Sequence, residues 1–100
     1  MAVTSKVLAR TAASTGSATL YTVPAATTAI ITNIAITNTA ASSATATIVL
    51  DSVDLLKTVT IAANSTTFID LKQVLGATKT ITGLASAVTV NFHISGVEIA

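Results

Sequence analysis

The carboxyl-terminal end of the chain shows the clearest pattern, with Val88, Val90, Phe92 and Ile94 alternating with Thr89, Asn91, His93 and Ser95. A period of two places successive side chains on opposite faces of an extended strand, so this run predicts a half-buried strand with its apolar set inward. The stretch "AIITNIAITNT" reads the same way. Ile30, Thr32, Ile34 and Ile36 fall on one face and Ile31, Asn33, Ala35 and Thr37 on the other. Its β-branched residues suit a pleated surface. Further strands are predicted at Leu20–Val23, at Thr45–Leu50, in "LLKTVTI" with Leu55, Val59 and Ile61 on one face, in "TTFIDL" and in "TKTIT". Pro24 ends the first of these, and a proline-initiated turn through Ala25 and Ala26 is expected to be type I, without glycine. "KQVLGA" reads as a single helical turn stopped by Gly76. After Gly96 the apolar phase flips to Val97 and Ile99, and a bulge at Gly96 would account for it.

Seven or eight short strands at this spacing predict an all-β fold, an antiparallel β-sandwich or small barrel. Ile34, Ile36, Ile48, Leu50, Val59, Ile61, Phe68, Val90, Phe92 and Ile94 are the expected core. The amino-terminal end is different. Val3, Val7 and Leu8 form a small apolar group with Lys6 and Arg10, followed by the small polar stretch "TAASTGSA". Residues 1–18 are therefore expected to be an arm and linker, and residues 19–100 the β-sandwich domain. A first edge strand packed on its own domain is the alternative for the arm. Val3, Lys6, Val7, Leu8 and Arg10 are the candidate partner-contacting residues.

Composition narrows the function. No charged residue occurs between Thr19 and Leu50, which raises the possibility of a membrane span. Threonine or asparagine interrupts that stretch at Thr27, Thr28, Thr32, Asn33, Thr37 and Asn38, so no run approaches the roughly 18 apolar residues a spanning helix needs. The chain has 100 residues, 51% hydrophobic but only 3% aromatic, enough for one domain with a thin core. Surface buried against neighbouring copies is expected to supplement it, most simply in a trimer that pairs otherwise exposed strand edges. A net charge of +1 gives no electrostatic reason to bind nucleic acid or an anionic membrane. Cysteine is absent, which removes disulfide and thiolate chemistry. "MAVTSKVLAR" lacks the apolar core of a secretory signal, so cytosolic assembly is expected.

Candidate chemistry is sparse. His93 is the single histidine and falls on the polar side of the last strand, as a solvent or interface residue. Asp51 and Asp54 flank a tight turn, but two carboxylates make a poor calcium site. Asn64-Ser65-Thr66 matches a glycosylation sequon, read as chance in a threonine-rich chain. No glycine-rich phosphate loop is present. No enzyme, cofactor or metal is expected, and catalytic residues are none. Thr-x-Thr pairs such as Thr45/Thr47 and Thr80/Thr82 raise ice or surface binding, yet no fixed repeat stacks them.

In "LYTVPA", "AIITNIAITNT", "ANSTTFIDLKQVLGATKTI" and "VNFHISGVEIA" the chain resembles a group of small virion proteins of tailed bacteriophages. The likeness covers about Thr19 to Ala100 and consists of turn and strand signatures. It departs from the group at Ala26, where those proteins often carry glycine. The resemblance implies a structural virion protein, first a capsid decoration (cement) protein on the outside of a phage head. A tail, baseplate or fibre component is the second expectation. The implied partner is the major capsid protein or another virion structural protein, and the implied location is the virion, assembled in the host cytoplasm. No site residues are implied.

Overall fold

The computed structural model describes residues 2–100. These residues form eight strands and no helix: β1 (Val3–Ala12), β2 (Ala18–Thr22), β3 (Thr28–Asn38), β4 (Ala44–Leu50), β5 (Val53–Ile61), β6 (Ser65–Leu75), β7 (Thr80–Ala85) and β8 (Val90–Ile99). Two four-stranded antiparallel sheets result, ordered β1-β8-β3-β6 and β2-β7-β4-β5. The chain changes sheet at every connection except β4–β5, which is the strand order of a jelly roll, a sandwich of two interlocked Greek keys. Both sheets keep open edges, so of the two expected architectures the sandwich is the one formed.

The core lies between the sheets. Ile31, Ile34 and Ile36 of β3 meet Ile48, Ile61 and Ile81 of the other sheet, with Val90, Phe92 and Ile94 of β8 alongside. Eight of the ten expected core residues are buried, and Val59 is half-buried against them. Phe68 is the exception, at 71% exposed. Its parity explains why: Ile69 and Leu71 turn inward on β6, so Phe68 shares the outer face with Thr66 and Asp70. Val88, also expected inward, lies in the turn before β8 and is exposed.

A line of irregular pairing crosses the whole β1-β8-β3-β6 sheet. Ser95 and Gly96 are consecutive on β8, but their partners are Val7 and Lys6 on β1 before a register shift at Leu8, and Asn33 and Ile31 on β3 with Thr32 skipped. On β6 the shift falls between Asp70 and Gln73. The predicted bulge is therefore in the right row but on the neighbouring strands. β8 keeps its alternation, and Gly96 stays inward while Val97 and Ile99 do not rejoin the core. The bulge at Thr32 also changes the faces of β3: Ile31, Ile34 and Ile36 point in, and Thr32 and Asn33 are both outward. An extra residue bends the strand and re-aims the side chains beyond it.

Residues 3–12 are not an arm. They form β1, paired with β8 from Val3↔Ile99 to Ala12↔Asn91, and the bulge turns the adjacent Leu8 and Ala9 into the core. The following segment is tied down too, with the Ala13 amide donating to Val90 at 2.7 Å and the Ser14 carbonyl accepting from Ala85 at 3.0 Å. The expected boundary at residue 18 falls at the start of β2, inside the sandwich. Met1 is outside the described residues. Two local readings also change. Lys72–Leu75 belong to β6 rather than to a helical turn, and Ala26 closes the turn after Pro24 at φ 58°, a left-handed conformation that favours glycine.

Candidate binding surface

The jelly roll presents two unlike outer faces. On the β2-β7-β4-β5 sheet, Thr82 opposes Thr19 and Val49, Leu84 opposes Thr47, and Thr45 opposes Thr60. This face is mostly hydroxyl. Leu84 and Val49 interrupt it, register shifts break β4–β5, and Thr47 is buried with its oxygen accepting the Thr58 amide at 3.0 Å. The threonines do not form the regular array an ice-like lattice would need.

The outer face of β1-β8-β3-β6 is built differently. Val3, Val7, Phe68 and Val74 are four of the six large apolar side chains that are exposed among the described residues. Register fixes their neighbours. One row runs Ser5–Val97–Ile30–Val74 across the four strands, and another runs Arg10–His93–Ala35–Phe68. Ala35 is 8% exposed yet lies outside the core cluster, so the taller side chains on either side in its row cover it. Between these rows lies the crease made by the bulges. It forms two shallow grooves that share Thr32, one running toward Lys6 and Val7 and the other toward Asp70 and Lys72. Thr32 donates to the Ser95 carbonyl at 3.3 Å, and Asn33 donates to Asp70 at 3.2 Å.

Of the five candidate residues, the structure brings Val3, Val7 and Arg10 to this face. Leu8 instead belongs to the core, and Lys6 turns to Glu98, at 3.2 Å. Glu98 also accepts the Tyr21 hydroxyl hydrogen bond from the other sheet, so the three residues bridge β1, β8 and β2 at one end of the sandwich. The Tyr21 hydrogen bond holds the Glu98 carboxyl below its ordinary pKa, against an opposing effect of burial, with Lys6 adding in the same direction. Burial first, and then the carboxylate, push the Tyr21 phenol well above its ordinary value. The sequence reading missed Phe68, Val74 and the half-buried pair Val97 and Ile99. Phe68 was recoverable from its parity with Asp70, whereas Val97 was not, because nothing in the residue types locates a bulge on a neighbouring strand.

Chemistry is otherwise dispersed. Among the described residues, no group of three or more His, Asp or Glu side chains is placed to hold a metal. Asp51 pairs with Lys79 at 3.6 Å on the surface, and Asp54 lies across from Val49. His93 stands in the outer-face row between Arg10 and Ala35. Asn64 occupies the β5–β6 turn at φ 52°.

No family model matches the chain, and no curated protein does. Solved structures match its fold. The NLP core of Drosophila, described for pentamer formation and histone binding, shares 16% identity over 98% of both chains with a TM-score of 0.59. A chain of the T13 IBDV viral particle matches with TM-score 0.57 and 8% identity, over 97% of this chain. This chain spans 30% of that one's length. The fold is thus a jelly-roll-like β-sandwich of the kind seen in a nucleoplasmin-type core and in a viral particle.

Proposed function

We propose that this protein is a structural component of a virion, a capsid decoration protein that binds the outside of a phage head and stabilises contacts between capsomers. One observation carries the reading: four of the six large apolar side chains exposed among the described residues share one outer face of the sandwich, and the opposite outer face is rich in threonine. A decoration protein needs one face for its particle and one for solvent, and many repeated copies of a modest contact suffice to oppose shell expansion. Two further features support it, the sequence resemblance to small phage virion proteins and the recurrence of the fold in a viral particle. The partner is the major capsid protein or another virion structural protein. The protein acts there without catalysis, cofactor, nucleic acid or membrane.

Histone binding, the subject of the NLP core work, is not extended to this chain. A basic partner calls for an acidic surface, and here five bases balance four acids. The test is cosedimentation of the purified protein with undecorated shells, followed by a map of the decorated particle. Saturable binding at fixed positions on the head supports the reading. Density for this sandwich in the tail or baseplate would move it to the tail-component alternative, and no binding to any particle part would overturn it.

A further inference from the structure

Arg10 of β1 and His93 of β8 stand directly opposite each other on the outer face of β1-β8-β3-β6. With Thr11, Ala12 and Asn91 they line a shallow notch of about 320 Å³. Ala12 opposes Asn91, and its short side chain leaves room there. The notch offers a guanidinium, an imidazole N–H and a side-chain amide, and His93 supplies its N–H in either charge state. Among the described residues, no acidic side chain pairs with Arg10 or His93. The chain's four acids lie elsewhere. Glu98 is held by Lys6 and Tyr21, Asp51 pairs with Lys79, and Asp54 belongs to β5 of the other sheet. Asp70 is on this face, but it accepts from Asn33 and borders a groove with Lys72. It is three strand spacings from Arg10, about 14 Å.

We propose that this notch receives the carboxylate of an aspartate or glutamate side chain presented by the particle protein to which the face docks. The identity of that partner rests on the decoration reading, whereas the notch and its preference for a carboxylate do not. Charge complementarity carries the assignment. The face sets Arg10 and Lys72 against Asp70 alone, and Arg10 is the cation with no acid nearby. A guanidinium fork fits a planar carboxylate through two parallel hydrogen bonds, and the imidazole or the amide can bond a remaining lone pair. One fixed arginine is too little for a polyanion, which needs a stripe of basic groups. An exposed ion pair contributes little by itself, but docking excludes water from it and makes it selective. Phe68 favours that exclusion, because it stands in the same row as Arg10, two strands beyond His93. A partner whose apolar surface covers Phe68 brings its acidic side chain over the notch within one contact.

The test pairs cosedimentation on undecorated shells with NMR of the free full chain. Arg10→Glu is expected to raise the dissociation constant for shells roughly tenfold or more, and Arg10→Gln to weaken both binding and its dependence on salt. Lys57→Glu makes the same change in net charge at an exposed position of the other sheet, and should leave binding unchanged. Arg10 and Lys57 are exposed, so all three variants should melt with wild type. In the free protein, a hexaglutamate peptide is expected to shift the backbone amide signals of Arg10, Ala12, Asn91 and His93, and to lose that effect in Arg10→Gln. Hexalysine should shift none of them. Shells that bind wild type and Arg10→Glu equally overturn the notch and leave the decoration reading standing, as does equal weakening by Lys57→Glu. Hexaglutamate shifts centred on Lys57, Lys72 or Lys79 overturn it too. Dimerisation that Arg10→Glu abolishes would give the notch to a second copy and overturn the particle partner. A wild type that binds no shell yet shows the localised hexaglutamate shifts leaves the carboxylate site in place and defeats the decoration reading.

Discussion

Gly96 lies directly against the backbone carbonyl of Ile30, at the row where β1 and β3 both lose register with β8 and β6 loses register with β3. A Cβ at this position would collide with that carbonyl oxygen and press on Leu8. The close approach, not an unusual φ, is what requires glycine here. Gly96→Ala should therefore lower stability by about 2–3 kcal/mol, because backbone must move to admit the methyl. Gly76→Ala is the matched control, since a Cβ there meets nothing within 4 Å. Urea midpoints at unchanged slope measure both, and equal midpoints would refute the crease as described.

Removing residues 1–10 should unfold the sandwich or weaken it severely. β1 covers β8 and supplies Leu8 and Ala9 to the core, so truncation exposes a long strand and opens a cavity. Loss of one buried leucine alone costs about 2–5 kcal/mol, which for a domain this size means a fall in melting temperature of roughly 10 °C or more. A truncated protein that melts like the full chain would restore the arm.

What the residues disclosed and what they hid follow from one physical distinction. A strand with a core on one side and water on the other must alternate, so β3, β4 and β8 could be read from Ile34, Ile48 and Phe92. β1 could not be, because as an edge strand it is exposed almost throughout, and its two buried residues, Leu8 and Ala9, are adjacent. Bulges are set by register between strands distant in sequence, so Gly96 marked the row but not the strands that carry the extra residue. The candidate surface was half legible for the same reason. Val3, Val7 and Arg10 were found as a local cluster, whereas Phe68 and Val74 join them only through β8 and β3.

The Tyr21–Glu98–Lys6 bridge makes stability depend on pH at both ends of the scale. The Glu98 pKa is lowered on folding, so its contribution is present above the unfolded value near 4.3 and disappears as pH falls through the lower folded value. Tyr21 is raised, so its contribution is intact below about 10, and is lost as pH rises from there toward the folded value, since the unfolded phenol ionises first. Melting temperature should decline in acid and again in strong base. Glu98→Gln should flatten the acid limb, and Tyr21→Phe should flatten the alkaline one. Unchanged limbs in both variants would show that the bridge does not couple to folding.

Asn38 organises the opposite end of the sandwich. It is fully buried, and its side-chain amide donates to the carbonyls of Ser42 at 2.8 Å and Ile61 at 3.2 Å. Its oxygen accepts the Ala40 amide at 3.0 Å and the Thr89 hydroxyl at 3.4 Å. One side chain thus joins the end of β3 to the β3–β4 connection, to β5 and to the turn before β8. Both carbonyls need a donor and both donors need an acceptor, a combination that a side-chain amide supplies and a carboxylate does not. Asn38→Ala should cost about 2–3 kcal/mol, because it strands buried polar groups rather than merely losing contacts. Asn38→Asp should cost at least as much at neutral pH, since an ionised carboxylate would point at two carbonyl oxygens. Part of that loss should return in mild acid, where the introduced carboxyl takes up a proton and offers one donor again, so urea melts at pH 7 and at pH 4 separate the two effects. An Asn38→Asp variant as stable as wild type at pH 7 would mean that the amide donors carry no weight in this network.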